Sequence, residues 1–536
     1  MSTSPATHVA ISRSRTRVLY IVLPFVIIIG LWYAVALVFS GLRVIPTPLA
    51  VVQAFIGDLA VYPVNVGSTL GAAAIGYVVG NVLALILGVV FVQVPWVERL
   101  LLRIGVASFC IPLVAIAPIL VVVLSGSGPK IALAALSVFF TTLIAVILGL
   151  RAVDGSSTEV IRSLGGTSWQ VMFKIRLFAM LPSTFAGLQI AAPAAILGAI
   201  IGEYLGASEG LGVMLVLAQS SFEVARTWAI ALVMSALAGL AYGLVGLIGR
   251  RLTPWAAHDV TVGVGAVPSS RQGSRVHAFF NSVLGLAGSV VIVVLGWYLL
   301  IRAFNLNSYF AKTPLDIFEY LVTDAVASAN RERLWEGLVV TLGDAAVGYV
   351  VGMVAAVLIA LLVVTSSLAE TVIMPGSIVL RSIPLVALTP LLALVFGRGL
   401  LGTTVIVALV TFFITLVNVT VGLRSAPQLC IDLVKSLGGS VAFSTRKVRF
   451  LYALPSIFAS AKIAVPGALA GATLAEWLAT GRGLGSMIIS DFAASQFASL
   501  WTESLTIVAV SVFFYAIIAA IEKPIVRRFG AAPIER

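Results

Sequence analysis

Charge is what this chain is short of. Of its 536 residues only 10% are Asp, Glu, Lys or Arg, where a soluble globular chain carries about 25%. That is too little charge to cover a water-facing surface, which excludes an ordinary soluble enzyme and a soluble nucleic-acid binder. Two cysteines, Cys110 in an apolar run and Cys430 in a polar loop, cannot build a disulfide framework. The three histidines, His8, His258 and His277, lie in the tail and a linker, so a histidine-based triad or a buried histidine metal site is not available. No Gly-x-x-x-x-Gly-Lys-Ser/Thr occurs anywhere, which argues against ATP binding by a P-loop in this chain. Gly126-Ser127-Gly128-Pro129-Lys130 lacks that spacing. Gly397-x-Gly399-x-x-Gly402 fits a dinucleotide pattern but joins two apolar runs rather than a strand to a helix.

What the chain has instead is apolar length: 60% of its residues are hydrophobic. A bilayer-crossing helix needs about 20 mostly apolar residues. Runs of that kind lie near 18–39, 67–94, 104–125, 130–150, 182–205 and 226–248, and again near 282–302, 338–366, 373–395, 400–422, 455–478 and 503–522. The expectation is an all-α integral membrane protein with about twelve transmembrane helices. The first run follows Arg13, Arg15 and Arg17 but lacks a small-x-small cleavage site, so it reads as a retained helix. With the amino terminus inside, most of the 33 Lys and Arg fall in inner segments. The outer segments hold Arg43, Lys130, Arg226, Arg302, Lys312, Arg331, Arg333, Arg398 and Arg482. This bias places both termini in the cytoplasm and accounts for the net charge of +12 without a nucleic-acid partner.

The two sets of runs are copies. Thr69-Leu70-Gly71 and Ala73-Ala74-Ile75-Gly76-Tyr77-Val78-Val79-Gly80 recur as Thr341-Leu342-Gly343 and Ala345-Ala346-Val347-Gly348-Tyr349-Val350-Val351-Gly352. Ile111-Pro112-Leu113-Val114-Ala115 recurs at Ile383–Ala387, Ser163-Leu164-Gly165-Gly166 at Ser436–Gly439, and Gly210-Leu211-Gly212 at Gly483–Gly485. Glu203 matches Glu476 and Trp228 matches Trp501. Six spans per copy is an even number, so the halves insert the same way up, related by an axis along the membrane normal. The expected organisation is a cytoplasmic tail at 1–17, a first repeat at 18–250, a cytoplasmic linker at 251–281 and a second repeat at 282–530. A seam between like halves is a natural solute path. Gly76-x-x-x-Gly80 and Gly348-x-x-x-Gly352 read as helix-packing faces.

Each half has one sizeable inner loop. The first runs from Glu159 through Ser163-Leu164-Gly165-Gly166 to Leu181-Pro182, the second from Asp432 through Ser436-Leu437-Gly438-Gly439 to Leu454-Pro455. Apolar residues at 160, 161 and 164, and at 433, 434 and 437, share one helical face. Here the sequence resembles the permease subunits of binding-protein-dependent ABC importers, whose loop signature is Glu-Ala-Ala, three residues, Gly, nine residues, Ile-x-Leu-Pro. Glu159, Gly165, Ile175 and Leu177 stand at the required positions, with Val160-Ile161 for the alanines and Phe178 for Pro. The second loop has Asp432, Val448, Phe450 and Leu451 at the corresponding places. Ser-Leu-Gly-Gly and Gly202-Glu203-Tyr204-Leu205-Gly206-Ala207-Ser208-x-Gly210-Leu211-Gly212 are similar to the nitrate/sulfonate/taurine branch. The resemblance implies a type I importer permease fold and a bacterial-type inner-membrane location. It implies an extracytoplasmic solute-binding protein as partner and two copies of a cytoplasmic ATPase, which holds the ATP and magnesium, this chain holding no cofactor. It also implies that the loops (Glu159, Ser163, Leu164, Gly165, Gly166; Asp432, Ser436, Leu437, Gly438, Gly439) seat in the ATPase, and that the solute is a small polar anion or a pyrimidine-like compound.

Ionisable residues inside spans cost about 2.5–3.5 kcal/mol each on insertion scales. Asp344, Arg381 and Lys462 belong to the second half alone. Either they line the seam and touch the solute, or they snorkel from span ends to water. Glu203 and Glu476 close spans in both halves, which favours a shared structural or gating role. The chain thus reads as a transport component rather than an enzyme. The alternative is an ion- or proton-coupled secondary carrier, disfavoured because these spans hold few of the acids and no histidine that such relays use.

Overall fold

The computed structural model describes residues 29, 30, 32–38, 41, 45–153, 155–255, 275–366, 368–371, 373, 374, 377 and 385–529. Every regular element among them is helical. Eight helices there are long and apolar enough to cross a bilayer. The first half contributes α1 (Pro48–Gly57), α2 (Tyr62–Gln93), α3 (Pro95–Phe109), α4 (Leu113–Val123), α5 (Gly128–Arg151), α6 (Gly155–Ser163), α7 (Leu181–Tyr204), α8 (Leu211–Ser220) and α9 (Val224–Leu252). The second contributes α10 (Arg275–Ala303), α11 (Ala327–Thr365), α12 (Leu385–Phe396), α13 (Leu400–Arg424), α14 (Gln428–Ser436), α15 (Phe450–Ala475), α16 (Leu484–Ala493) and α17 (Phe497–Phe529). The membrane-length helices are α2, α5, α7, α9, α11, α13, α15 and α17, with α15 lying inside a continuous stretch over Val441–Thr480.

One apolar run differs from the expectation of a single span. The run at 104–125 is broken: α3 ends at Phe109 and α4 begins after Pro112, which sits extended at φ −66°, ψ 117°. Proline removes a backbone donor and forces its predecessor out of the helical region, so hydropathy stays high while the helix stops. In the run at 373–395 the copied proline, Pro384, is outside the described residues, and the described part of α12 covers Leu385–Phe396. The run at 18–39 and the linker lie largely outside them as well. Two short apolar helices, α8 and α16, were not among the predicted runs. Each starts at a glycine with positive φ, Gly210 at 137° and Gly483 at 85°.

Within each half three of the four long helices interlock, with small residues at their closest approach. A Cβ on Gly80 would come within 2.5 Å of the Ala135 carbonyl oxygen on α5, and one on Gly352 within 2.6 Å of that of Ala408 on α13. The repeated glycine pairs therefore serve close helix packing. Tyr77 donates to the Leu188 carbonyl at 3.0 Å, and its counterpart Tyr349 to that of Ala461 at 2.9 Å, so both halves pin α2 to α7 (and α11 to α15) at the same level.

The short helices α4 and α12 join the halves. α4 lies among Leu484, Ile488, Leu500 and Ile507 of the second half, through Ala115 and Ile119. Ser504 on α17 donates to the Ala115 carbonyl at 2.8 Å. In return Val386 on α12 packs with Leu133 and Ile201 of the first half. Tyr204 and Trp477, which follow the two matching glutamates, meet edge to face across the seam at 5.2 Å.

Candidate functional site

The two loops fold alike. α6 and α14 each end on a glycine in the left-handed region, Gly165 and Gly438, both at φ 79°. Gly166 N–H returns to the Ile161 carbonyl at 2.8 Å and Gly165 N–H to that of Arg162 at 3.0 Å. Gly439 and Gly438 repeat the pair with Val434 and Lys435 at 2.8 and 2.9 Å. This is the Schellman closure, in which a Cβ at the first glycine is disfavoured. The chain then restarts at an N-cap hydroxyl, Thr167 to Gln170 N–H and Ser440 to Phe443 N–H. A π-type turn follows each, at Met172–Arg176 and Thr445–Arg449. The second glycines are needed internally, since a Cβ on Gly166 would strike Ile161 and one on Gly439 would strike Val434. The first glycines face open space. Beside them Leu164 is 82% exposed and Leu437 80%. Glu159 and Asp432 are exposed, and Ser163 and Ser436 bond back to the carbonyls of Val160 and Leu433, both within their own helices. The result is a matched pair of exposed apolar knuckles whose backbone is fixed from within.

At the other end of the long helices the two glutamates are buried clamps. Glu203 is 1% exposed, accepts from the Thr69 hydroxyl at 2.9 Å and from Gly212 N–H at 3.0 Å. Thr69 in turn accepts from Leu211 N–H at 2.9 Å. The carboxylate and the Thr69 hydroxyl thus each satisfy one backbone donor at the start of α8, where the helix dipole favours negative charge. Glu476 repeats the arrangement with Thr341 at 3.0 Å and Gly485 N–H at 2.8 Å, and Leu484 N–H reaches Thr341 at 2.9 Å. A Cβ on Gly210 or Gly483 would fall on the respective carboxylate. The copies differ in charge. Lys130, which the sequence places in an outer turn, lies 3.8 Å from Glu203 and donates to Ser68 at 2.9 Å. Its counterpart is Thr403, and among the described residues no cation pairs with Glu476.

The other singled-out residues scatter. Asp344 is half-buried and close to Thr403 and Arg482. Lys462 is buried and paired with Glu522 on α17, with the Tyr515 ring 5.9 Å away. Arg381 lies outside the described residues. A cluster that the sequence reading did not single out joins α11, α16 and α17. Arg333 grips Asp491 with both terminal nitrogens at 2.6 and 3.0 Å and lies 3.8 Å from Glu503, while the Ser499 hydroxyl sits between the two carboxylates. Arg333→Ala leaves two buried acids without their cation. Arg333 is itself partly exposed, so stability is expected to fall by about 1.5–3 kcal/mol, read as a lower melting temperature of the solubilised protein, with Arg333→Lys recovering only part because a lysine lacks the two-pronged grip.

The chain matches the family model described as binding-protein-dependent transport system inner membrane component twice, over residues 80–254 and 348–528. Over 234 residues it is 30% identical to the formylaminopyrimidine transport permease protein ThiX of Halalkalibacterium halodurans, covering 43% of this chain and 93% of ThiX. It is 29% identical over 167 residues to the riboflavin transport system permease protein RibX of Chloroflexus aurantiacus, covering 31% of this chain and 62% of RibX. With the taurine transport system permease protein TauC of Escherichia coli it shares 30% identity over 149 residues, 27% of this chain and 53% of TauC. One relative nearly whole thus aligns with less than half of this chain, as a duplication requires. This chain belongs to the binding-protein-dependent inner-membrane permeases of ABC transporters and carries two copies of their fold fused in one polypeptide.

Proposed function

We propose that the chain alone forms the complete membrane channel of an ABC importer, with α6 and α14 as its two seats for a pair of separate cytoplasmic ATPase subunits. The observation that carries this reading is the matched pair of exposed knuckles, identical in backbone closure and built by both halves. ATP and magnesium belong to the ATPases. Nucleotide-driven closure of those subunits draws the knuckles together and swings one half against the other about the seam, a rigid-body switch between two packings. A solute-binding protein delivers a small polar solute to the opposite face. In this reading the knuckles, the residues around 251–281 and both chain ends face the cytoplasm, consistent with the bias of basic residues toward those segments. The repeats span 18–250 and 282–530.

The test is gentle solubilisation of the tagged chain from its native membrane and identification of what co-purifies. A P-loop ATPase at about two copies per chain, released by Gly165→Val and Gly438→Val together, is expected. Isolation of the chain alone, with ion-driven solute uptake into liposomes in the absence of ATP, would establish a secondary carrier instead.

A further inference from the structure

The seam is not symmetric where solute would cross it. At the clamp end of the bundle, the halves leave between them a cavity of about 280 Å³, near the lower end of the range for small-molecule sites. Tyr204, Gln219, Ser220 and Thr227 of the first half line one wall, and Leu391 and Arg398 of the second line the other. The Tyr204 hydroxyl is bonded to the Gln219 side chain, which fixes both polar groups on one side. At the pseudo-equivalent place the counterparts of Leu391, Gln219 and Thr227 are Ile119, Phe492 and Leu500. There Ile119, Phe497 and Leu500 form a packed apolar cluster, with Phe492 against it. The cavity between the halves is kept in one orientation and packed in the other, while a separate cavity of about 280 Å³ beside Phe497 is lined by second-half residues alone, Lys312 among them.

The kept cavity carries a cation. Arg398 is exposed, and among the described residues no carboxylate lies within ion-pairing distance of it. It sits in the turn opened by Gly397 at φ 85°. The matching turn of the first half, Gly126–Gly128, has its nearest basic side chain, Lys130, drawn away to Glu203. An arginine fork suits the paired oxygens of a carboxylate, sulfonate or phosphate, and Leu391 supplies an apolar surface for the rest of a small molecule. We propose that this one-sided cavity is a transit site for a single small oxyanion, its head on Arg398 and its body between Tyr204 and Leu391. The proposal rests on the permease reading and narrows its solute to anions.

The test needs no knowledge of the solute. In the full chain carrying Cys110→Ala and Cys430→Ser, reconstituted in liposomes, Ser220→Cys reports on the cavity. Its modification rates by a methanethiosulfonate bearing a sulfonate and by one bearing a trimethylammonium are compared, each relative to its rate with a free thiol. The anionic reagent is expected to be favoured about ten-fold, the scale of one charge at close range in a partly wet site. Arg398→Gln abolishes the preference and Arg398→Lys keeps part of it. Phe222→Cys, also lining the cavity, serves where Ser220→Cys fails to fold. Equal rates, or a preference that survives Arg398→Gln, overturn the proposal. An anion preference in a chain that captures no ATPase would sink the permease reading while supporting the anion site.

Discussion

Glu203→Gln is expected to destabilise the protein by several kcal/mol, whereas Glu476→Gln, at the copied position, is expected to cost about 1 kcal/mol or less. Both glutamates accept from a threonine hydroxyl and a glycine N–H, and a carboxamide oxygen can accept both. The difference lies in the surroundings. Lys130 is buried beside Glu203, and neutralising its partner leaves an uncompensated buried charge, worth about 3–5 kcal/mol when such pairs are broken. Glu476 has no such cation among the described residues. One of its oxygens has no hydrogen-bond partner, and Asp344 is near enough to repel it electrostatically. Thermal melting of the two variants, with Lys130→Met added to each, is the measurement. The added substitution should restore much of the loss in Glu203→Gln and lower Glu476→Gln further, because there it leaves the intact Glu203 without its cation. Equal losses in the two single variants would show that the clamps act through hydrogen bonds alone.

The second large effect concerns assembly rather than folding. Leu164→Asp combined with Leu437→Asp is expected to abolish ATPase capture while leaving the melting temperature of the isolated chain within a degree or two. Each leucine is largely exposed and sits immediately before a left-handed glycine, so neither supports the chain's own core. Burial of a leucine side chain in a partner contributes about 1.5–3 kcal/mol, and an aspartate in its place adds the cost of an unpaired buried charge. Two sites together weaken association by at least about 10²- to 10⁴-fold. Leu164→Met with Leu437→Met should bind nearly as the parent does. Undiminished capture in the double aspartate variant would remove the knuckles from the interface.

The duplication was legible because sequence identity needs no structure to be seen. Ser163–Gly166 and Ser436–Gly439 use the same words, and they take the same backbone conformation. The spans were legible wherever hydropathy and helix coincide, as in α2, α5 and α7. They diverged at Pro112, because an apolar run does not register a broken backbone while a membrane core rewards apolar residues on either side of the break. The charged residues were the hardest to read. Lys462 finds Glu522 and Arg333 finds Asp491 across 60 and 158 positions of chain, and Lys130, placed by sequence in an outer turn, finds Glu203. A residue that looks expensive inside a span is made affordable by a partner that only the folded bundle reveals. The cavity beside Arg398 escaped for the same reason. It exists because Gln219 and Thr227 in one copy are Phe492 and Leu500 in the other, and differences between copies have no meaning until the copies are placed face to face.

The exchange of α4 and α12 across the seam sets a timetable for biogenesis. α4 finds its packing partners on α16 and α17, more than 350 residues further along the chain. At about 5–20 residues per second during synthesis, its apolar flank waits on the order of 20–70 s in the bilayer before the surface that receives it has been made. A nascent first half is therefore a half-open client for the insertion machinery. Fusion into one polypeptide shortens that exposure to a fixed interval, where two separate subunits would have to find each other by diffusion.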